Sequence, residues 1–225
     1  MTSLSSRLEQ ERERASEALG FSRHYSIGVD EVGRGCLAGP VVACALLFHK
    51  PELFPAKDVR FLRDSKTLSA KQRQRLYRLL QPCVIFAAAS CSVEEIDQHN
   101  ILQATMIAMQ RAVEALCIKI SPSYDTIAIV DGNRAPNLEI PHFCAVQGDQ
   151  HCVSIAAASI MAKTLRDRLM AQYDVRYPFY GWKTNAGYGT KTHMEGLKKH
   201  GVTPLHRQSF RPVRKVNTAY SCSSP

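Results

Sequence analysis

The sequence lacks the features that would place the chain in a membrane or on a secretory route. Its longest apolar runs fall well short of the roughly 18 to 20 residues needed to span a bilayer, and residues 1–21, rich in Ser, Glu and Arg, contain no apolar stretch like that of a signal peptide. The eight cysteines form no Cys-x-x-Cys pair, and most lie in apolar runs. We therefore expect a cytoplasmic protein with reduced, buried cysteines.

Two common kinds of functional site are also missing from the sequence. It contains no nucleotide-binding P-loop. The best candidate ligands for zinc are His142, Cys144, His151 and Cys152, but their spacing fits no standard zinc site. The sequence therefore predicts neither a P-loop nucleotide site nor a zinc centre.

What the sequence does have is positive charge. Its 225 residues include 29 Lys and Arg against 20 Asp and Glu, a formal net charge of +9. This excess favours an anionic partner, although a ribosomal protein, a membrane-surface protein or a merely soluble one could carry the same charge. With 45% hydrophobic residues, the chain can bury the core of a single domain.

Apolar runs and capping signals predict an α/β domain. The predicted strands are Tyr25 to Val32, Pro40 to Phe48, Cys83 to Cys91, Thr126 to Val130 and Ile140 to Gln147. Helix starts are marked by Ser69 with Gln72, Ser92 with Glu95, Asn100 with Gln103, Ser154 and Thr190. This order predicts a mixed five-stranded sheet flanked by helices, with a small helical part towards the C-terminus.

The two ends of the chain are expected to lie outside that domain, which we place at residues 25–213. Residues 1–24 carry leucines and alanines among charges, so they form either an amphipathic helix packed on the domain or a frayed tail. Residues 214–225 are expected to be a disordered tail. No internal repeat or convincing linker divides the chain.

The most unusual stretch follows the first predicted strand. Asp30 and Glu31 stand at its end, and Arg34 follows between Gly33 and Gly35. Neighbouring strand residues point to opposite faces, so the two carboxylates reach one point only where the chain bends, which the glycines permit. The alternative is a tight hairpin with a solvated acidic pair, but such a loop needs only about two to five special residues.

Two more acids stand after predicted strands. Asp131 stands just past the end of the strand predicted from Thr126 to Val130, where α/β folds commonly bind ligands; a Gly-containing turn explains the same residues equally well. Asp149 precedes the helix predicted from Ser154, and favouring that helix start would be a sufficient role. Taken singly, neither acid proves a site.

Two further stretches are suited to contact with nucleic acid. Asp64-Ser65-Lys66 lies just before a predicted helix, where free N–H groups favour anions, although a solvated turn with an Asp cap explains it better on local evidence. Tyr188 stands between two glycines, which suits stacking on a sugar or base; a packed turn tyrosine is the equal alternative.

Convergence of Asp30, Glu31, Asp131 and Asp149 would create a demand for cations. Two carboxylates about 4 Å apart repel each other by roughly 4 kcal/mol at an effective dielectric of about 20. Carboxylates without His or Cys select hard ions, Mg²⁺ or Mn²⁺. Two such ions, roughly 3.5 to 4 Å apart, can activate a water and stabilise a leaving oxygen, which is the chemistry of phosphodiester hydrolysis.

Several motifs together resemble the ribonuclease HII family over about residues 25–213. They are Asp30 to Ala43, Asp64-Ser65-Lys66, Val130 to Asn133, Gly148-Asp149, Ala156 to Lys163, Gly187 to Thr190 and His206 to Phe210. The resemblance implies an RNase H-like fold in which the four acids bind Mn²⁺ or Mg²⁺ and catalyse. It implies incision 5′ of ribonucleotides in RNA–DNA hybrids, and of single ribonucleotides in duplex DNA, leaving 3′-hydroxyl and 5′-phosphate ends for ribonucleotide removal.

The resemblance also implies the substrate contacts. It assigns Gly33-Arg34-Gly35 and Tyr188 to sensing the ribose 2′-hydroxyl, and Asp64-Ser65-Lys66 to the nucleic-acid backbone. Family members often carry a His-Lys pair where this chain has Asn185-Ala186, which bears on one backbone contact. We expect a monomer without a clamp-binding tail. A DNA resolvase of the same fold and a non-catalytic hybrid-binding module are the alternatives.

Overall fold

The computed structural model describes residues 3–20, 25–62, 67–121 and 123–221, with side chains up to residue 217. The strands are β1 (Tyr25–Val32), β2 (Val41–Phe48), β3 (Val84–Cys91), β4 (Thr126–Asp131) and β5 (His142–Ala145). The helices are α1 (Leu4–Leu19), α2 (Ala70–Leu80), α3 (Val93–Cys117), α4 (Gly148–His151), α5 (Val153–Arg176), α6 (Trp182–Asn185), α7 (Lys191–His200) and α8 (Arg211–Ser221). Short 3-10 turns cover Pro51–Leu53 and Ala56–Phe61.

The strands form one mixed sheet in the order β3-β2-β1-β4-β5. β2 runs antiparallel to β1 and to β3, whereas β4 runs parallel to β1 and to β5. In the parallel pair Val29 lies opposite Val130, so Asp30 and Asp131 follow at the same carboxyl edge. The predicted α/β fold with a mixed five-stranded sheet is confirmed.

Helices cover both faces of this sheet. Alternate residues of β2 enter different core clusters: Leu46 packs with α5 on one face and Leu47 packs with α3 on the other. α5 lies close to β1 because Gly28 has no side chain; a Cβ there would overlap the backbone of Ser154. This close approach brings the helix beside the end of β1 that carries Asp30.

The predicted helix starts agree with the structure, except that α5 begins at Val153, one residue before the predicted Ser154. Complete capping boxes are present at Ser69 with Gln72 and at Ser92 with Glu95. Within α3, Asn100 leaves helical geometry with φ 65°, and its side-chain oxygen accepts hydrogen bonds from two following backbone N–H groups. α3 therefore contains the second helix start that the sequence predicts at this residue.

The expected disorder over 214–225 is wrong as far as Ser221. α8 covers Arg211–Ser221 because one side of it packs on the protein. Val213 is fully buried, and Val216 packs against the hydrophobic cluster that contains Leu197 and Trp182. At the N-terminal end, residues Leu4–Leu19 form the helix α1, the first of the two alternatives that the sequence left open. It packs through the buried Leu4 and Leu8, with a left-handed Gly20 at its C-terminus.

Strand ends are the least accurate part of the sequence reading. β5 covers only His142–Ala145, because it pairs on one side alone and its residues are half-buried at the sheet edge. β3 begins at Val84, one residue after the predicted start, and is buried only in part. Across the described ranges, none of the helices is both long and apolar enough to cross a membrane.

Candidate active site

Asp30 lies near the end of β1, in the centre of the sheet, and its side chain is almost fully buried. One carboxylate oxygen accepts a hydrogen bond of 2.7 Å from the N–H of Glu31, and the hydroxyl of Ser159 on α5 donates a second. Burial raises the pKa of Asp30 well above its ordinary value, and the nearby carboxylates of Glu31 and Asp131 raise it further. Three acids therefore share one local electrostatic environment.

Glu31 is the neighbour of Asp30 and points towards the glycine-rich loop. Burial raises its pKa, while Arg34 opposes that shift from 3.3 Å away and Asp131 adds to it. β1 continues through both acids to Val32, and the chain bends only at Gly33, which has φ 98°. The bend predicted at this motif thus follows the acidic pair.

Asp131 and Asp149 are connected through Gly148. Asp131 ends β4, and one of its carboxylate oxygens accepts a hydrogen bond of 2.7 Å from the N–H of Gly148. Gly148 is tightly packed, since a Cβ there would overlap Ile155. Asp149 is the next residue, buried in the short helix α4. The structure thus brings Asp30, Glu31 and Asp131 close together and places Asp149 in the adjoining helix α4.

These acids do not form a closed metal cage. Among the residues that the structure describes, no group of three or more His, Cys, Asp and Glu side chains has an arrangement ready to hold a metal ion.

The glycine-rich loop, residues 33–40, is held from behind by Arg166, a residue that sequence reasoning missed. Arg166 is fully buried in α5, and its guanidinium donates to the carbonyls of Ala38, Pro40 and Ala186 at 2.7–3.0 Å. A Cβ at Gly33 would overlap that guanidinium. Glycine at this position therefore lets the loop lie directly on the buried arginine.

Arg207 holds the same loop from a different segment. It donates twice to the carbonyl of Gly39, at 2.8 and 3.0 Å, and once to that of Arg34, at 2.9 Å. Burial lowers its pKa to about 10, and Arg166 adds to that shift. The motif from His206 to Phe210 marked this segment in the sequence. Arg166 lies outside those motifs, so no signal in the sequence pointed to it.

Tyr188 lies next to the glycine-rich loop. Its ring is 44% exposed, and ring atom Cε1 is 3.7 Å from where a Cβ at Gly35 would stand. The N–H of Leu37 donates to the carbonyl of Gly187 at 2.8 Å, which joins the two loops. Lys163 of α5 places its ammonium 5.9 Å from the centre of the tyrosine ring.

Two other residues near the site have contacts that fix their side chains. Asp167 pairs with Lys163 at 2.7 Å and with Arg73 at 3.5 Å. Asn185, which stands in place of a basic residue, shapes the loop before Tyr188. Its amide nitrogen donates to the carbonyl of Tyr180, and its oxygen accepts from the N–H of Gly187. Asp64, Ser65 and Lys66 lie outside the described residues.

The mixed sheet, with acids at the carboxyl edge of its two parallel neighbours, defines an α/β protein of the RNase H-like class. Ribonuclease H2 from Pyrococcus horikoshii OT3 has the same fold, with a TM-score of 0.71 at 23% identity, over 88% of this chain and 99% of that one. Bst-RNase HIII in complex with Mn²⁺ has a TM-score of 0.68 at 20% identity, over 91% and 72% of the two chains.

The sequence comparisons give the family within that class. The family model of Ribonuclease HII matches residues 27–213. The Ribonuclease HII of Burkholderia thailandensis is 48% identical over 205 residues, covering 90% of this chain and 91% of the relative. The chain belongs to the ribonuclease HII family, which confirms the resemblance drawn from the motifs. Membership indicates a type 2 ribonuclease H, a metal-dependent endoribonuclease that acts on RNA in RNA–DNA hybrids.

Proposed function

We propose that this chain hydrolyses the phosphodiester on the 5′ side of ribonucleotides, both in RNA–DNA hybrids and at single ribonucleotides in duplex DNA. The products would carry 3′-hydroxyl and 5′-phosphate ends, and the incision would begin the removal of ribonucleotides from DNA. One observation carries the proposal: at the carboxyl ends of β1 and β4, Glu31 and Asp131 lie near enough to Asp30 to raise its pKa, and Arg34 of the glycine-rich loop lies 3.3 Å from Glu31.

The donor atoms at the carboxyl ends of β1 and β4 fit a hard divalent ion. Cys44 lies opposite Asp30 across β1 and β2, but burial and Asp30 raise its pKa far above the ordinary value, so it remains a neutral thiol. The ligands on offer are therefore carboxylate oxygens, which suit Mg²⁺ or Mn²⁺. Mn²⁺ is the ion bound by Bst-RNase HIII, a protein of the same fold.

We assign Asp30, Glu31, Asp131 and Asp149 to holding the metal. Two divalent ions, when bound, would supply activation of a water and stabilisation of the leaving oxygen for an in-line displacement at phosphorus. The chain fixes its own carboxylates beforehand. The hydroxyl of Ser159 orients Asp30, and the N–H of Gly148 orients Asp131.

We assign ribose recognition to Gly33, Arg34, Gly35 and Tyr188. Arg34 and Gly35 are exposed, and the tyrosine ring stands beside Gly35, whereas Gly33 is buried against Arg166 and sets the course of the loop. A site whose polar groups are satisfied only by a substrate hydroxyl can reject the deoxy analogue by about 10⁴ to 10⁵. The loop and the ring would therefore select the 2′-hydroxyl, the group that separates RNA from DNA.

Asp64, Ser65 and Lys66 complete the proposal as contacts to the phosphate backbone. They precede Ala70, the first residue of α2. Lys66 would neutralise phosphate without reading sequence, which agrees with the net charge of +9. The support for these three residues is the family motif alone.

The test is a nicking assay on duplex DNA that contains one ribonucleotide, with Mg²⁺ or Mn²⁺. We expect a single cut on its 5′ side. Asp131→Asn should reduce the rate by about 100-fold or more, because it removes one carboxylate charge from the metal site. The fold should survive, since the asparagine oxygen can still accept from the N–H of Gly148.

Glu195→Gln serves as the control, because Glu195 is an exposed acid on α7 with one long ion pair to Lys191. This variant should cut like the parent. Equal cutting of branched DNA without ribose would favour a resolvase instead. Binding of the hybrid without any cut would favour a binding module. Unchanged turnover of Asp131→Asn would contradict the assignment of the acids.

A further inference from the structure

A cluster of fully buried rings packs behind the loop that carries Tyr188, residues 186–190. Trp182 opens α6, His193 belongs to α7, and His206 lies in the segment before α8; Tyr180 stacks on the indole at 5.0 Å. Buried ring nitrogens need hydrogen-bond partners. The partners of these two histidines determine where each ring carries its proton.

Trp182 fixes the proton of His193. An indole N–H can only donate, and the indole nitrogen lies 3.1 Å from Nε2 of His193. Nε2 is therefore an acceptor, and the proton of the neutral ring is on Nδ1. Nδ1 lies 2.9 Å from the main-chain oxygen of Tyr188. His193 thus donates a hydrogen bond to the backbone of Tyr188.

His206 supports the same assignment from the other side. The backbone N–H of Thr203 donates to its Nδ1 at 2.9 Å, so its proton is on Nε2, which lies 3.0 Å from Nε2 of His193. Burial lowers the pKa of His206 to about 3, with His193 adding to the shift, and burial also lowers the pKa of His193. The pair is therefore neutral at neutral pH.

The backbone around Tyr188 needs such an anchor. Gly187, with φ 86°, and Gly189 flank it, and glycine restrains the chain less than any other residue. The carbonyl of Tyr188 accepts from the N–H of Thr190 at 2.8 Å and from His193. The bond from Thr190 is local, whereas the bond from His193 ties the loop to the buried core.

We propose that His193 is a positioning residue, whose Nδ1–H, with its tautomer set by Trp182 and His206, holds Tyr188 at the ribose-sensing position. The inference rests on the proposed role of Tyr188. It adds that recognition of the sugar depends on buried residues that never touch the substrate. A misplacement of about 1 Å in such a site can cost about 100-fold in rate.

Two amide substitutions separate the nitrogens of His193. His193→Gln places its amide near the Nε2 position, so it keeps the contact with Trp182 and His206 and loses the donor to Tyr188. His193→Asn places its amide nitrogen near the Nδ1 position and keeps that donor. Each is measured alone and combined with Tyr188→Ala, in single-turnover cutting of duplex DNA that contains one ribonucleotide, with enzyme in excess.

In the protein that retains Tyr188, we expect His193→Gln to lower the cutting efficiency by about 10- to 100-fold, and His193→Asn to lower it less. In the Tyr188→Ala background, His193→Gln should have little further effect, because the residue through which it acts is gone. A merely structural role would give the same loss in both backgrounds, and that result would overturn the proposal. The proposal would also be overturned if the His193→Gln variant cut as efficiently as the parent.

Nitrogen NMR of the histidines in the unsubstituted protein tests the geometry without any variant, and decides the matter where His193→Gln fails to fold. Protonated Nδ1 in His193 with protonated Nε2 in His206 supports the proposal, and the reverse pair of tautomers overturns it. Failure of the parent to cut at a ribonucleotide is a different result. It contradicts the proposed function, and the NMR tautomers then still report whether the anchor exists.

Discussion

At the scale of single residues, the glycine-rich loop depends on two buried arginines. Arg166 and Arg207 together donate to the carbonyls of residues 34, 38, 39, 40 and 186. A guanidinium has five donors in a rigid plane, so one side chain can bind several carbonyls that point in different directions. These residues fix the backbone that Gly33 and Gly35 leave free.

Arg207→Lys should therefore impair both the fold and cutting. An ammonium on a flexible stem cannot bind the carbonyls of Gly39 and Arg34 together, and leaving a buried carbonyl unpaired costs about 1 to 3 kcal/mol. We expect a loss of about that size in urea unfolding, with weaker cutting of the ribonucleotide duplex. Arg176→Lys, on the exposed end of α5, is the matched control. An equal, small effect of both changes would contradict the role of Arg207 in holding the glycine-rich loop.

The proposed acids are easier to recognise in the sequence than the residues that orient them. Asp30, Glu31 and Asp131 were predictable because each stands in a recognisable motif at a strand end. Arg166 was not, because a charged helix residue is ordinarily solvated and only the tertiary structure reveals that its environment is a ring of carbonyls. Ser159 lies within the motif from Ala156 to Lys163, but only the structure reveals that its hydroxyl bonds Asp30.

At the scale of elements, local signals predicted helix starts and failed where tertiary contacts decide. Capping boxes at Ser69 and Ser92 involve only residues within one turn, so the sequence contains them completely. α8 forms because Val213 finds a buried position, which no local pattern reveals. The start of α5 is the clearest tertiary case, since its N-cap residue Cys152 makes no side-chain cap.

Glu11 of α1 supplies that cap from far away in sequence. Its carboxylate accepts a hydrogen bond from the N–H of Ser154 at 3.2 Å and another from the hydroxyl of the same residue. Glu11→Ala should cost about 1 to 2 kcal/mol in urea unfolding, as does the loss of a good N-cap. Glu13→Ala, on the exposed side of α1, should stay within about 0.5 kcal/mol of the parent.

The cost of Glu11→Ala should also depend on pH. Burial raises the pKa of Glu11 above 4.5, so the folded protein keeps this proton to a higher pH than the unfolded chain does. The stability that the group contributes is complete below 4.5 and declines as the pH rises through the folded pKa. The difference between parent and Glu11→Ala should therefore be larger at pH 5 than at pH 8, and a difference that grows towards pH 8 would contradict this account.

At the scale of the whole molecule, folding gathers charges of one sign that sequence separates. The clustered acids face each other inside a protein whose net charge is +9. The sequence predicted this convergence only through the family's motifs, since spacing along the chain does not say which strand ends become neighbours. The parallel pairing of β1 with β4 decides it.

Relief of that repulsion should be measurable as thermal stability. A divalent ion that binds only the folded protein adds about 2.7 kcal/mol at a concentration 100 times its Kd. Mg²⁺ or Mn²⁺ should raise the Tm of the parent, EDTA should reverse the rise, and NaCl at equal ionic strength should not reproduce it. Asp131→Asn should lose most of the rise and Glu195→Gln should keep it, because only the first removes a charge from the coupled acids. An equal rise in Asp131→Asn and the parent would mean that the ion binds elsewhere and that these acids are not its ligands.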